Sequence, residues 1–288
     1  MPANEAATPK LHTLITGLAL GESPRWHEDR LWLADWGARE ILAVDRAGQR
    51  EVIVRAPSMP VCFDWLPDGR LLLVSGREGR LLRREPDGTL VTHADLRGLS
   101  PHPWNDIVVD GRGNAYVDAI GFDFPAGPVA PGILALVTPD GEVRQVAEGV
   151  EFPNGLVVTP DNATLILAES YGHRLTAFDI AADGSLAHRR VWAELGAGTP
   201  DGICLDADQA IWYGDVPNQR CVRVREGGQV LQTVALDRGC FACMLGGADQ
   251  RTLFLVAAEW GGPASMTGGR RTGQVLTLEA PAPHAGWP

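Results

Sequence analysis

Short apolar runs recur along the chain, each bounded by polar or turn-forming residues. The clearest are 31–36 (LWLADW), 41–45 (ILAVD), 71–75 (LLLVS), 133–137 (ILALV), 164–168 (TLILA), 175–179 (LTAFD), 222–225 (VRVR) and 253–257 (LFLVA). Runs of this length, rich in aliphatic residues and partly alternating, read as β-strands. Between strand-like runs lie Pro67-Asp68-Gly69, Pro86-Asp87-Gly88, Pro139-Asp140-Gly141, Pro160-Asp161-Asn162 and Ala182-Asp183-Gly184. Proline pre-sets φ, aspartate accepts local backbone hydrogen bonds, and glycine or asparagine tolerates positive φ, so these tripeptides predict hairpin turns. No amphipathic stretch of helical period exceeds about ten residues, so helix is expected to be scarce.

The pattern repeats. The second strand of each unit starts near Leu31, Leu71, Ala115, Leu165, Ile211 and Leu253, at intervals of 40 to 50 residues. Units of that size, each able to form a four-stranded sheet, are the signature of a propeller, whereas a β-sandwich would not repeat at this period. The expected fold is all-β: a six-bladed β-propeller with four-stranded antiparallel blades around a central channel. The units fall at about 18–58, 59–98, 99–148, 149–196, 197–238 and 239–280, within one domain spanning 1–288. Residues 10–16 are expected to supply the outer strand of the last sheet and close the ring. The segment FDFPAGPVAPG (122–132) reads as an inserted loop over one face.

Composition narrows the function classes. The 34 glycines and 21 prolines among 288 residues are spread along the chain, as frequent turns require. A formal net charge of −11 argues against a nucleic-acid or anionic-membrane surface, because both are bound first through Lys and Arg. No apolar run approaches the roughly 20 residues that span a bilayer. The start MPANEAATPK lacks the basic-then-apolar build of a signal peptide. Five cysteines, an odd count in a long chain, fit reduced thiols, and the expected location is cytoplasmic.

In a propeller the innermost strands line the channel, so equivalent positions of different blades converge on one axis. Acid and amide residues occupy such positions: Glu22 in GESPRW, Asn105 in WNDIVVD, Asn154 in FPNGL and Asp201 in TPDGICLD. Two carboxylates and two amide carbonyls suit a hard or borderline divalent cation. Asn-Gly and Asp-Gly are also ordinary turn dipeptides, which leaves a purely structural role open at this point.

In combination and order, GESPRW, WNDIVVD, PNG before a strand and PDGICLD resemble the SMP-30/gluconolactonase/LRE-like family of six-bladed propellers, from about Leu18 to Leu278. The resemblance implies one divalent metal at the top of the channel, with ligands at Glu22, Asn154 and Asp201. Asn105 matches a substrate-binding position at or beside the metal. Ca²⁺ is favoured, with Mg²⁺, Mn²⁺, Zn²⁺ or Fe²⁺ as alternatives. The implied reaction is metal-assisted opening of a lactone or related carboxylic ester. Asp201 would take the water proton and Asn105 would assist at the tetrahedral oxyanion. An acidic substrate-contacting residue of the family aligns near Asp123. The family's usual arginine two residues before Asn105 is replaced by Pro103, which points to a substrate unlike a polyhydroxylated aldonolactone.

Further substrate contacts are expected from His102, Trp104, Phe122, Asp123, Tyr171, Asp215 and Trp260, with inter-blade packing the competing role for the aromatics. Glu169 either reaches the channel or serves a surface or salt-bridge role; Trp26, Trp32 and Trp212 are assigned to the core. Cys240-Phe241-Ala242-Cys243 lacks a second pair at zinc spacing and a βαβ setting, so its thiols read as buried and structural. Ala168-Glu169-Ser170-Tyr171-Gly172 lacks the first glycine of a nucleophile elbow and the helix that should follow. No phosphate-binding or dinucleotide-binding glycine motif occurs. The leading expectation is a metal-dependent lactonase acting on a small molecule. The alternatives are a non-catalytic ligand- or partner-binding propeller with a structural metal, and a propeller hydrolase or cyclase with a non-sugar substrate.

Overall fold

The five turn tripeptides close hairpins as their chemistry requires. Gly69, Gly88, Gly141, Asn162 and Gly184 all adopt left-handed φ, between 56° and 90°. Asp68, Asp87, Asp161 and Asp183 each accept a hydrogen bond from the backbone N–H two residues on, at 2.9–3.0 Å. These observations come from a computed structural model that describes residues 10–262 and 269–288. Residues 1–9, which carry most of the segment read against a signal peptide, lie outside the described residues.

The hairpins build six four-stranded antiparallel sheets. The first blade holds β2 (Gly21–His27), β3 (Arg30–Asp35), β4 (Glu40–Val44) and β5 (Arg50–Arg55). The second holds β6 (Phe63–Trp65), β7 (Leu71–Ser75), β8 (Arg80–Arg84) and β9 (Leu90–Asp95). The third follows with β10 (Trp104–Val109), β11 (Ala115–Ala119), β12 (Gly132–Val137) and β13 (Val143–Val150). The fourth comprises β14 (Pro153–Val158), β15 (Thr164–Glu169), β16 (Arg174–Ile180) and β17 (Leu186–Glu194). The fifth comprises β18 (Pro200–Leu205), β19 (Ile211–Asp215), β20 (Arg220–Val224) and β21 (Val230–Ala235). The sixth takes β22 (Gly239–Gly246), β23 (Thr252–Ala258) and β24 (Gly273–Glu279), and its outer edge is β1 (His12–Leu18) from the other end of the chain. One 3₁₀ turn at Gly76–Glu78 is the only helical element among the described residues. No helix there is long and apolar enough to cross a membrane.

Burial follows position in the blade. The innermost strands β10 and β22 are buried at every residue, while the outer strands β5 and β21 are mostly exposed. Inner and middle strands are covered on both faces by neighbouring blades and therefore read as continuous apolar runs. Outer strands are sheet edges, and β5, β9, β13 and β17 carry charge, which discourages edge-to-edge pairing. Each innermost strand runs from one mouth of the channel to the other. At the far mouth the C-terminal segment crosses the strand ends: Trp287 and Val158 exchange two backbone hydrogen bonds (2.8 and 2.9 Å), Ala285 donates to Leu205 (3.0 Å) and His284 to Gln250 (2.9 Å).

Candidate functional site

At the near mouth, the start of the innermost strand is irregular in five of the six blades. Register against the next strand slips between Glu22 and Arg25, Trp104 and Ile107, Pro153 and Leu156, Pro200 and Ile203, and Cys240 and Ala242. These are β-bulges, which bend a strand and re-aim its side chains. They bracket Asn105, Asn154, Asp201 and Phe241, with Glu22 at the edge of the first. The loop position expected for Asn154-Gly155 and Asp201-Gly202 is thus corrected, since both dipeptides lie inside strands. Their glycines serve close approach between blades. A Cβ on Gly155 would lie 2.6 Å from the Ile203 nitrogen and 2.7 Å from the Asp201 oxygen, and one on Gly202 would lie 2.5 Å from the Ala242 Cβ.

The bulged residues floor a cavity of about 340 Å³. Polar residues in its lining are Glu22, Asn105, Asn154, Ser170, Thr199 and Asp201, joined by the hydroxyl-bearing Tyr171 and the indoles of Trp36 and Trp260. Phe124, Phe152 and Tyr171 form one aromatic group in the lining and Phe241 with Trp260 another. Trp36 and Leu20 are joined by a backbone hydrogen bond (2.8 Å), and Ile120 and Val216 add to the apolar lining. Glu22 and Asn105 are buried (7% and 4% exposed), while Asn154 and Asp201 keep part of their surface open.

Charge is unbalanced here. Burial pushes the Glu22 carboxyl well above the usual range, and the nearby Asp201 and Asp106 raise it further. Asp201 is likewise pushed up by burial and Asp106, against a hydrogen bond from Asn154 that lowers it. No Lys or Arg lines the cavity. The nearest cation below it, Arg25, donates to the Pro24 and Ile107 carbonyls (3.0 and 2.8 Å) and lies 3.5 Å from Asp106. Beneath, burial also pushes Asp64 up to about 6 and Asp118 well above its usual range.

The amides are tied back. Asn105 donates to the Pro153 carbonyl (3.3 Å) and Asn154 to the Ser170 hydroxyl (3.3 Å), which itself donates to the Pro200 carbonyl (2.7 Å). One N–H of each amide being so engaged, the amide oxygens are acceptors offered to the cavity. No group of three His, Cys, Asp or Glu side chains gathers at metal-binding spacing among the described residues. The donor set is instead two carboxylates with no Lys or Arg lining the cavity, plus two amide oxygens. A hard divalent cation fits it, because the cation would relieve the repulsion between the two carboxylates.

The eleven sequence-predicted site residues divide. Glu22, Asn105, Asn154, Asp201, Tyr171 and Trp260 line the cavity together. His102, Trp104, Phe122 and Asp123 do not. Trp104 is fully buried in the apolar core. Phe122 backs the flank from behind, its ring 5.8 Å from Phe152. His102 and Asp123 face each other at 3.3 Å, with the Asp123 carboxylate largely in solvent. Asp215 is fully buried and paired with Arg220 (2.8 Å) and Asn218. Glu169 takes the salt-bridge role, bound by Arg174 (2.9 Å) and Arg189 (3.0 Å). All five cysteines are buried and free, and Trp32 and Trp212 lie in the core.

Sequence reading missed Trp36, Phe124, Phe152 and Phe241. Repeat phase carries a signal for the wall: the residue just after the second strand of a blade recurs as lining in Trp36, Ile120, Ser170 and Val216. Phe241 was hidden inside a C-x-x-C read only for its thiols.

Fold and site define a class: a six-bladed propeller whose axial cavity is floored by carboxylates and amides set on bulges. Within it, the SMP-30/Gluconolactonase/LRE-like region matches residues 20–259, and the chain belongs to that family. Regucalcin of Gallus gallus is 28% identical over 287 residues, 93% of this chain and 95% of that protein. The 6-deoxy-6-sulfogluconolactonase of Pseudomonas putida is 26% identical over 262 residues, 83% of this chain and 84% of that protein. Among solved structures, a luciferin-regenerating enzyme superposes with a TM-score of 0.82 at 19% identity, over 96% of this chain and 98% of the other, a likeness of fold.

Proposed function

We propose that the chain hydrolyses a carboxylic ester, most simply a lactone, in the axial cavity, using a divalent cation held by Glu22, Asn154 and Asp201 with Asn105 beside it. The observation that carries this reading is the convergence of two carboxylates and two amides on one largely apolar cavity that no Lys or Arg lines. Membership of a family whose relatives include a named lactonase supports the reaction class. A bound cation supplies Lewis acidity toward the ester carbonyl and lowers the pKa of water.

The chain's own residues do the rest. Asp201, the more open of the two acids, takes the proton from the attacking water. One Asn105 N–H is held by Pro153 and the second remains to meet the developing oxyanion. The apolar flanks exclude bulk water, which strengthens both contacts.

The test is acid release from a panel of sugar, aliphatic and aromatic lactones by chelator-stripped and metal-reloaded protein. Hydrolysis should require the metal, and Asp201→Ala should lower kcat by a factor on the order of 10² to 10⁴. Chelation that lowers only the melting temperature, with no lactone opened by the loaded protein, would refute the reading.

A further inference from the structure

We infer that the substrate carries an aryl or compact hydrocarbon group beside its ester and presents few hydroxyls. This rests on the ester-hydrolase reading above and names its substrate class.

Three features of the cavity carry the inference. First, one flank is an aromatic stack. Phe152 and Tyr171 lie ring to ring at 4.5 Å with a 29° tilt, and Phe124 meets Phe152 edge-on at 5.2 Å. The other aromatic group pairs Phe241 with Trp260 at 5.6 Å, 76°. A ring entering the cavity is offered both faces and edges of aromatic side chains.

Second, the backbone holds the stack in place. Phe152 adopts φ +54°, a conformation that bulky residues rarely take and that persists only when its surroundings enforce it. Here two hydrogen bonds do so, from the Ser170 N–H to the Phe152 carbonyl (3.0 Å) and from the Tyr171 N–H to the Glu151 carbonyl (3.2 Å).

Third, the walls above the floor carry no charged side chain, and two of their polar groups are already engaged. The Trp36 indole N–H donates to the Val61 carbonyl (2.7 Å), so only its apolar body faces the cavity. The Ser170 hydroxyl is held by Pro200 (2.7 Å). His102 and Asp123 contact each other off the cavity. A polyol brought between these walls loses water at several hydroxyls. Among the described residues it finds only the Tyr171 and Thr199 hydroxyls and the Trp260 indole N–H as wall partners. An apolar pocket rejects one added hydroxyl on the order of 100-fold.

The experiment compares metal-loaded protein on γ-phenyl-γ-butyrolactone and D-glucono-1,5-lactone by pH-stat. Binding of their hydrolysis-inert ether counterparts, 2-phenyltetrahydrofuran and 1,5-anhydroglucitol, is measured by calorimetry in parallel. The aryl lactone should show a kcat/KM at least about 100-fold higher, and the aryl ether should bind where the polyol does not. Tyr171→Ala should lose roughly 3- to 10-fold more kcat/KM on the aryl lactone than on unsubstituted γ-butyrolactone, chiefly through KM. Preference for the aldonolactone, or 1,5-anhydroglucitol binding as tightly as the aryl ether, overturns the inference while leaving the hydrolase reading standing. Tight binding of the aryl ether with neither lactone opened does the reverse.

Discussion

Glu169 and Asp215 end the second strands of their blades, fully buried, and each is neutralised within its own sheet. Glu169 binds two arginines, the Thr176 hydroxyl (2.5 Å) and the Glu151 N–H (2.7 Å). Glu22 is nearly as buried and Asp201 partly open, with no cationic side chain in the cavity and Arg25 only below it. Carboxylates that fold without a paired counter-charge mark the place where an external one belongs. Glu169→Gln should therefore destabilise the fold by about 2 kcal/mol in urea unfolding. That is below the cost of breaking a fully buried pair, because Arg174 and Arg189 keep some solvent. It should leave cation affinity near the parent value. From sequence alone Glu169 and Asp201 are both acids at the phase of the repeat that faces the near mouth. Only the arginines that fold over Glu169, from Arg174 across the hairpin and Arg189 on the outer strand, separate the two roles, and that pairing is not visible in a one-dimensional pattern.

The strand is the scale at which the site is built. Four inner strands bring their polar residue to the axis by the same device, a bulge near the strand start. Gly155→Ala should push β14 away from β18, because the added carbon would meet backbone atoms of Asp201, Gly202 and Ile203 at 2.6–2.9 Å. A lower melting temperature and at least about tenfold weaker cation binding are expected by calorimetry, since ligand sets tolerate little displacement. The strands and hairpins were legible because alternation and Pro-Asp-Gly chemistry are local signals. The bulges were not, because Asn-Gly and Asp-Gly serve tight turns and close strand packing equally well. The aromatic flanks were half legible. Tyr171 and Trp260 follow second strands, whereas Phe152 owes its place to a left-handed backbone that no sequence period encodes.

At the scale of the molecule, the ring is closed twice. β1 completes the sixth blade from the opposite end of the chain, and the C-terminal segment seals the far mouth. The first closure was legible from the repeat, which leaves one sheet a strand short. The second was not, since PAPHAGWP has neither alternation nor period. His284 in that segment is pushed down to about 4, by burial first and by Arg25 next. Between about pH 4 and 6.5 His284 holds fewer protons folded than unfolded, so its own contribution to stability should rise with pH through that window, against the opposite trend of the raised Glu22, Asp64, Asp118 and Asp201 carboxyls. Removing residues 281–288 should lower the melting temperature and flatten that rise. An unchanged pH profile in the truncated chain would contradict the assignment. The acidic balance of the whole chain, −11, has little to do with the site, which uses two of the 36 acids. The most direct test of the central claim is calorimetric titration of chelator-stripped protein with Ca²⁺, alongside an Asp201→Asn variant of matching circular dichroism. One ion per chain, with affinity at least about 100-fold weaker in the variant, is the predicted result. Absence of binding by the parent chain, or equal binding by both, would contradict it.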